Sequence, residues 1–68
     1  MMEIILNNTK EVIPYDSVTV SELIRYKNFT FKLLVTKVNG KLVKKDERET
    51  HIVREGDDVM ILHLISGG

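Results

Sequence analysis

The sequence predicts an α+β roll: a mixed sheet of about four to five strands with one main helix packed on one face, in the order β-β-α-β-β-β. Three observations predict it. Met2, Ile4 and Leu6 recur at the two-residue period of a half-buried strand. A single stretch, Thr19 to Lys27, has helical spacing behind a capping signature. Branched, apolar runs flank Asn39-Gly40 and recur from Val59 to Ile65.

Met2-Glu3-Ile4-Ile5-Leu6-Asn7 opens as a strand. Asn7-Asn8-Thr9 tolerates a turn, so Glu11-Val12-Ile13 reads as the return strand of a hairpin. Pro14 has no amide to give a ladder and ends that strand. Thr19 and Glu22 form T-x-x-E, with the hydroxyl accepting from the Glu22 amide and the carboxylate from the Thr19 amide. Val18, just before the cap, can pack on Leu23 as a hydrophobic staple. Val20, Leu23, Ile24 and Lys27 follow helical spacing, and the apolar part of that stripe faces the sheet. Asn28 stops the helix after about two turns, too short to persist without tertiary packing.

Phe29 and Phe31 flank the helix exit as core or lid residues. Lys32 to Val38 is a strand of branched residues, and Asn39-Gly40 is the type I′ loop leading to its partner, Lys41-Leu42-Val43. The charge run Lys44 to Glu49 reads as a solvated connection. Thr50-His51-Ile52-Val53 is an irregular segment with two apolar anchors. Arg54 to Asp58 is a turn in which Gly56 takes the left-handed conformation. Val59 to Ile65 is apolar on both faces and belongs in the middle of the sheet, where it can pair in parallel with the first strand.

Composition narrows the function classes. Sixty-eight residues make one small domain, which buries about 60% of its unfolded surface. Ten basic and ten acidic residues cancel, which argues against a nucleic-acid binder and against a polybasic route to a membrane. With no cysteine there is no disulfide scaffold, thiolate metal site or cysteine nucleophile. No signal peptide or membrane-length apolar run is visible, so the expected location is the cytoplasm. The serines (Ser17, Ser21, Ser66) and histidines (His51, His63) show no nucleophile–base spacing, and Asp57-Asp58 is a turn pair without an EF-hand pattern. The expectation is no catalytic residue, no metal and no bound cofactor.

The chain end carries the chemistry instead. Residues 1–65 form the domain and 66–68 a flexible tail ending in Gly67-Gly68. A chance terminal glycine pair has odds of roughly one in two hundred. A tail without Cβ atoms can thread a narrow cleft, bringing its carboxylate against a nucleotide. Such a carboxylate can attack the α-phosphate of ATP and become an acyl adenylate.

These elements resemble the ubiquitin-like β-grasp fold, and in detail the sulfur carriers of the ThiS/MoaD superfamily, best the thiamine-biosynthesis carriers. Met2-Glu3-Ile4-Ile5-Leu6-Asn7 is similar to that family's opening strand, which usually ends in Asn. Thr19-Val20-Ser21-Glu22-Leu23-Ile24 resembles its T-V-x-x-L-L helix start, and Val38-Asn39-Gly40-Lys41-Leu42-Val43 its V-N-x-x-x-V hairpin. His51 to Val59, running to Ile65-Ser66-Gly67-Gly68, resembles its G-D turn, last strand and Gly-Gly end. The chain departs from the pattern at Asp16-Ser17-Val18 and Lys44-Lys45-Asp46. It lacks the length and the prolines before the last glycines that mark the molybdopterin-synthase small subunit.

The resemblance implies a sulfur carrier acting as co-substrate, not an enzyme. A ubiquitin-activating-type enzyme adenylates Gly68 with ATP, and sulfur from a persulfide, supplied through a cysteine desulfurase, replaces AMP. A synthase then takes the sulfur from the Gly68 thiocarboxylate into the thiazole of thiamine. Gly67 and Ser66 give access to it. Other readings remain: a carrier for molybdopterin or another sulfur metabolite, a protein modifier joined to lysines, or a regulatory module with an incidental Gly-Gly end.

Strand alternation gives an expected docking surface. If Met60, Leu62 and Leu64 face the helix, then Val59, Ile61, His63 and Ile65 face away. Leu34 and Val38 point inward, and Leu33, Val35 and Lys37 outward. Val35, Ile61, His63 and Ile65 then form the partner-binding patch near the tail. On this reading Ile61→Asp leaves the fold intact and weakens binding to the activating enzyme.

Overall fold

The computed structural model describes residues 1–30 and 33–64. The elements run β1 (Met2–Leu6), β2 (Thr9–Ile13), β3 (Ser17–Thr19), α1 (Val20–Tyr26), β4 (Leu34–Val38), β5 (Lys41–Val43), a 3-10 turn (Lys45–Glu47), β6 (Ile52–Arg54) and β7 (Asp58–His63). Five strands form one sheet in the order β2-β1-β7-β4-β5. The β1–β7 pair is parallel and the other pairs are antiparallel. The most hydrophobic strand is thus central and pairs in parallel with the first, as the sequence predicts.

Both hairpins rest on residues at positive φ. Asn7 and Asn8 (φ 51° and 67°) close β1 onto β2 with Leu6 opposite Thr9, and Asn39 and Gly40 (φ 52° and 82°) close β4 onto β5 with Val38 opposite Lys41. Two successive positive-φ residues give the loop a twist that matches the flanking strands. Gly56 also takes positive φ, at 82°.

The helix is built as its sequence reads. Glu22 donates its amide to Thr19 Oγ1 at 3.0 Å, and the Thr19 amide donates to Glu22 Oε1 at 2.7 Å. Val18, Val20 and Leu23 all lie in the buried core. Asn28 ends the helix in the left-handed conformation, φ 58°. Its amide donates to Arg25 O and the Phe29 amide to Ile24 O, which makes a Schellman closure with asparagine in place of glycine. Ile24 and Phe29 each pack against the core, and Lys27 Nζ donates to Glu11 Oε1, tying the helix end to β2.

Two segments differ from expectation. Ile52–Arg54 is a strand, not an irregular stretch, and pairs with β3 as a second, two-stranded sheet. Val18 lies opposite Val53 there, and both are buried, so one valine pair is enough to fix the register. The charge run is more than a solvated connection. Within it the chain winds into a 3-10 turn, and Arg48 reaches back to β4. Its Nη2 donates to Leu34 O at 2.7 Å, and its Nε donates to Thr36 Oγ1 at 3.1 Å. The Thr36 hydroxyl, fully buried, donates in turn to Val43 O at 2.6 Å.

The facing of β7 is the reverse of that expected. Val59 and Ile61 are buried with Met2, Ile4, Leu6, Val38 and Val43, while Leu62 and Leu64 are exposed and Met60 is half-buried. The cause is register. Leu6 lies beside Val59 and Thr36 opposite Ile61, so the inward residues of β1 and β4 bring the odd-numbered residues of β7 inward with them. The facing of β4 is as expected: Leu34 packs on the core, Val38 is buried, and Leu33 and Lys37 are exposed.

Candidate functional site

The site has two parts, the root of the C-terminal segment and the sheet face away from the helix. The root is β7. Turns lock its beginning in place. Asn39 donates its amide to Asp58 O at 2.7 Å and accepts at Oδ1 from the Asp58 amide at 2.9 Å. Asn39 Nδ2 also donates to Asp57 Oδ1 at 3.1 Å, and Asp57 Oδ2 accepts from the Arg54 amide at 2.9 Å. On the β1 side, Gly56 donates its amide to Glu3 O, and the Glu3 amide donates to Glu55 Oε1, at 2.8 and 2.9 Å. The Asn39-Gly40 and Glu55-Gly56-Asp57-Asp58 turns therefore interlock at the end of the sheet where β7 begins.

The far end of β7 is held by β4. Leu34 lies opposite His63, and the Leu64 amide donates to Leu33 O at 3.0 Å. Asn7 adds a side-chain link from β1, with Ile61 donating its amide to Asn7 Oδ1 and Asn7 Nδ2 donating to Ile61 O.

The outer face is apolar where β4 and β7 cross it. Val35 lies opposite Leu62, Leu33 bonds beside Leu64, and Met60 lies opposite Lys37. Leu33, Leu62 and Leu64 are exposed and Val35 and Met60 half-buried. Leu33, Leu62 and Leu64 thus form a run of adjacent exposed apolar side chains on this face. Leu62 and Leu64 immediately precede the segment that carries the Gly-Gly pair.

Of the expected partner-binding residues, Val35 stands on this face. Ile61 does not: it is 4% exposed and belongs to the core. His63 shares the inward parity of Ile61 but is exposed. Ile65, Ser66, Gly67 and Gly68 lie outside the described residues, as does Phe31. Leu33, Leu62, Leu64 and Asn7 were not among the expected site residues. The charged Asp58 could have indicated the facing, since alternation from an outward aspartate puts Val59 and Ile61 inside. Elsewhere, the Asp16 carboxyl is held below its usual range by a hydrogen bond from the Met1 ammonium and by that charge.

A five-stranded mixed sheet carrying one helix on a single face, with a parallel pair made by its first and last strands, defines a ubiquitin-like β-grasp domain. The fold is similar to the crystal structure of a thiamine biosynthesis protein (ThiS) from Geobacter metallireducens, with TM-score 0.88 and 22% identity over 98% of this chain and 100% of that one. It is also similar to the solution structure of a thiamine biosynthesis protein from the same organism, with TM-score 0.79 and 23% identity over 98% of this chain and 88% of that one. The sequence itself matches the ThiS family over residues 2–68, and the chain belongs to that family of ubiquitin-like sulfur carriers.

Proposed function

We propose that the Gly68 carboxylate is the sulfur-carrying group, and that the folded domain serves as the handle by which other proteins take hold of it. The family match running through Gly67-Gly68 is the observation that carries this reading. A carboxylate oxygen of Gly68 attacks the α-phosphate of ATP in an activating enzyme of the ubiquitin-activating type, forming the acyl adenylate and releasing pyrophosphate. A persulfide sulfur, charged by a cysteine desulfurase, displaces AMP and leaves an acyl disulfide. A second thiol then attacks that disulfide, is itself oxidised into a new one, and releases the Gly68 thiocarboxylate. The acceptor enzyme, a thiazole synthase, takes the sulfur and returns the carboxylate. The chain contributes no catalytic side chain and binds no cofactor; the ATP is bound by its partner.

The exposed face formed by Leu33, Val35, Leu62 and Leu64 is the docking surface for the activating enzyme on this reading. It supports the reading because it ends where the segment bearing Gly68 begins, so one partner can hold the face and receive the tail. The cycle belongs in the cytoplasm, where ATP and persulfide donors are present. No helix among the described residues is long and apolar enough to cross a membrane.

ATP–pyrophosphate exchange by the family's activating enzyme tests the first step. Exchange should require this chain and disappear when Gly68 is removed. Exchange that persists without Gly68 contradicts the proposal, and lysine-linked adducts in place of a thiocarboxylate would make the chain a protein modifier.

A further inference from the structure

Asn7 stands where β1 runs out. The parallel ladder pairs Ile5 with Asp58 and Leu6 with Val59, and its last main-chain bond runs from the Asn7 amide to Val59 O at 2.9 Å. The chain then turns back into β2 through Asn7 and Asn8, while β7 continues. The hydrogen-bonding edges of β7 alternate. Asp57 O and Val59 O accept from β1 amides, whereas Asp58 O and the Leu64 amide bond toward the β4 side. Ile61 therefore presents its amide and carbonyl to the side on which β1 has ended.

The Asn7 carboxamide meets both groups. Ile61 donates its amide to Asn7 Oδ1 at 2.8 Å, and Asn7 Nδ2 donates to Ile61 O at 3.1 Å. A primary amide carries the same donor and acceptor as a peptide unit, so the side chain extends β1 by one rung. The turn itself does not need it, since glycine meets a φ of 51° equally well. The carboxamide thus has a task apart from the hairpin. With β4 on the opposite edge, it fixes the course of β7 at the residue that separates the core from the outward Leu62.

We infer that Asn7 is a positioning residue for the carrier reaction, acting through Ile61 to set the direction in which the chain leaves the sheet toward Gly68. This rests on the proposed adenylation of Gly68. Asn7→Gly keeps the left-handed backbone and deletes the rung. Asn7→Asp keeps the shape and the acceptor but has no proton for Ile61 O. Amide exchange at Ile61 is read in the chain alone, and kcat and KM for the chain in ATP–pyrophosphate exchange with the activating enzyme.

In Asn7→Gly, Ile61 protection falls by about ten-fold or more. Its kcat falls by about ten-fold, the order expected from misplacing a reacting group, while KM stays within about two-fold. Asn7→Asp retains Ile61 protection and loses part of kcat; if Asn7→Gly does not fold, this variant carries the comparison. Asn8→Gly, on the same turn, changes neither quantity. Unchanged kcat in folded Asn7 variants, with only a lower Tm, overturns the inference and leaves the carrier reading standing, as does unchanged Ile61 exchange in Asn7→Gly. A wild-type chain that supports no exchange overturns the carrier reading itself, and the inference with it.

Discussion

The two faces of the central sheet are built from the same strands and differ in exposure. On the inner face, Met2, Ile4, Leu6, Val38, Val59 and Ile61 are buried beneath the helix residues Val20 and Leu23. On the outer face, Ile5 and Leu62 are exposed one residue away along the same strands, and Leu33, Leu42 and Leu64 are exposed with them. Both faces are apolar where β7 crosses, so hydrophobicity alone does not tell them apart. The difference lies in what covers them. Among the described residues one α-helix packs on the sheet, and it covers the inner face. The buried side chains of β7 lie on one side and its exposed leucine on the other, and the proposed docking surface uses the exposed side.

Adjacent substitutions break this comparison most directly. Ile61→Asp puts a carboxylate into the core and costs about 4 kcal/mol or more, which is comparable to the whole stability of a domain this size. The chain should show no cooperative unfolding transition by circular dichroism. Leu62→Asp, at a residue 41% exposed, should keep the native transition and weaken binding to the activating enzyme by about ten-fold or more in titration calorimetry. Equal loss of folding in both variants would erase the distinction between the faces. Thr19→Ala removes the helix cap and should cost about 1 kcal/mol in denaturant unfolding without altering partner affinity, because it acts on the inner side alone. The smallest effect is expected at Val12, 55% exposed on the edge strand β2: Val12→Ser should change stability by no more than about 0.5 kcal/mol and leave binding unchanged, which limits the docking surface to the β4–β7 region.

Local chemistry made much of the fold legible. The capping box, the Asn39-Gly40 hairpin, the stop at Asn28 and the central, parallel placement of the last strand each follow from a few adjacent residues or from one strand's composition. What the sequence did not disclose depends on long-range register. Val59, Met60, Ile61, Leu62 and Leu64 are all apolar, and the polar His63 is exposed although it sits on the inward parity, so alternation read from it points the wrong way. β6 has a single buried residue, Val53, which acquires a strand's partner only once Val18 is brought opposite. Arg48 and Asn7 look like a solvated charge and a turn residue, because their partners, Leu34 O and Ile61 O, are main-chain atoms far along the chain. The Gly67-Gly68 pair stands out in the sequence by its position at the chain end, and it lies outside the described residues.

Intact-mass spectrometry of the chain after incubation with ATP, the activating enzyme and a persulfide donor tests the carrier role most directly. The predicted result is replacement of one C-terminal oxygen by sulfur, dependent on all three components and absent from a chain lacking Gly68. An unchanged mass in the presence of active enzyme and donor, or the same sulfur gain in the chain without Gly68, would contradict it.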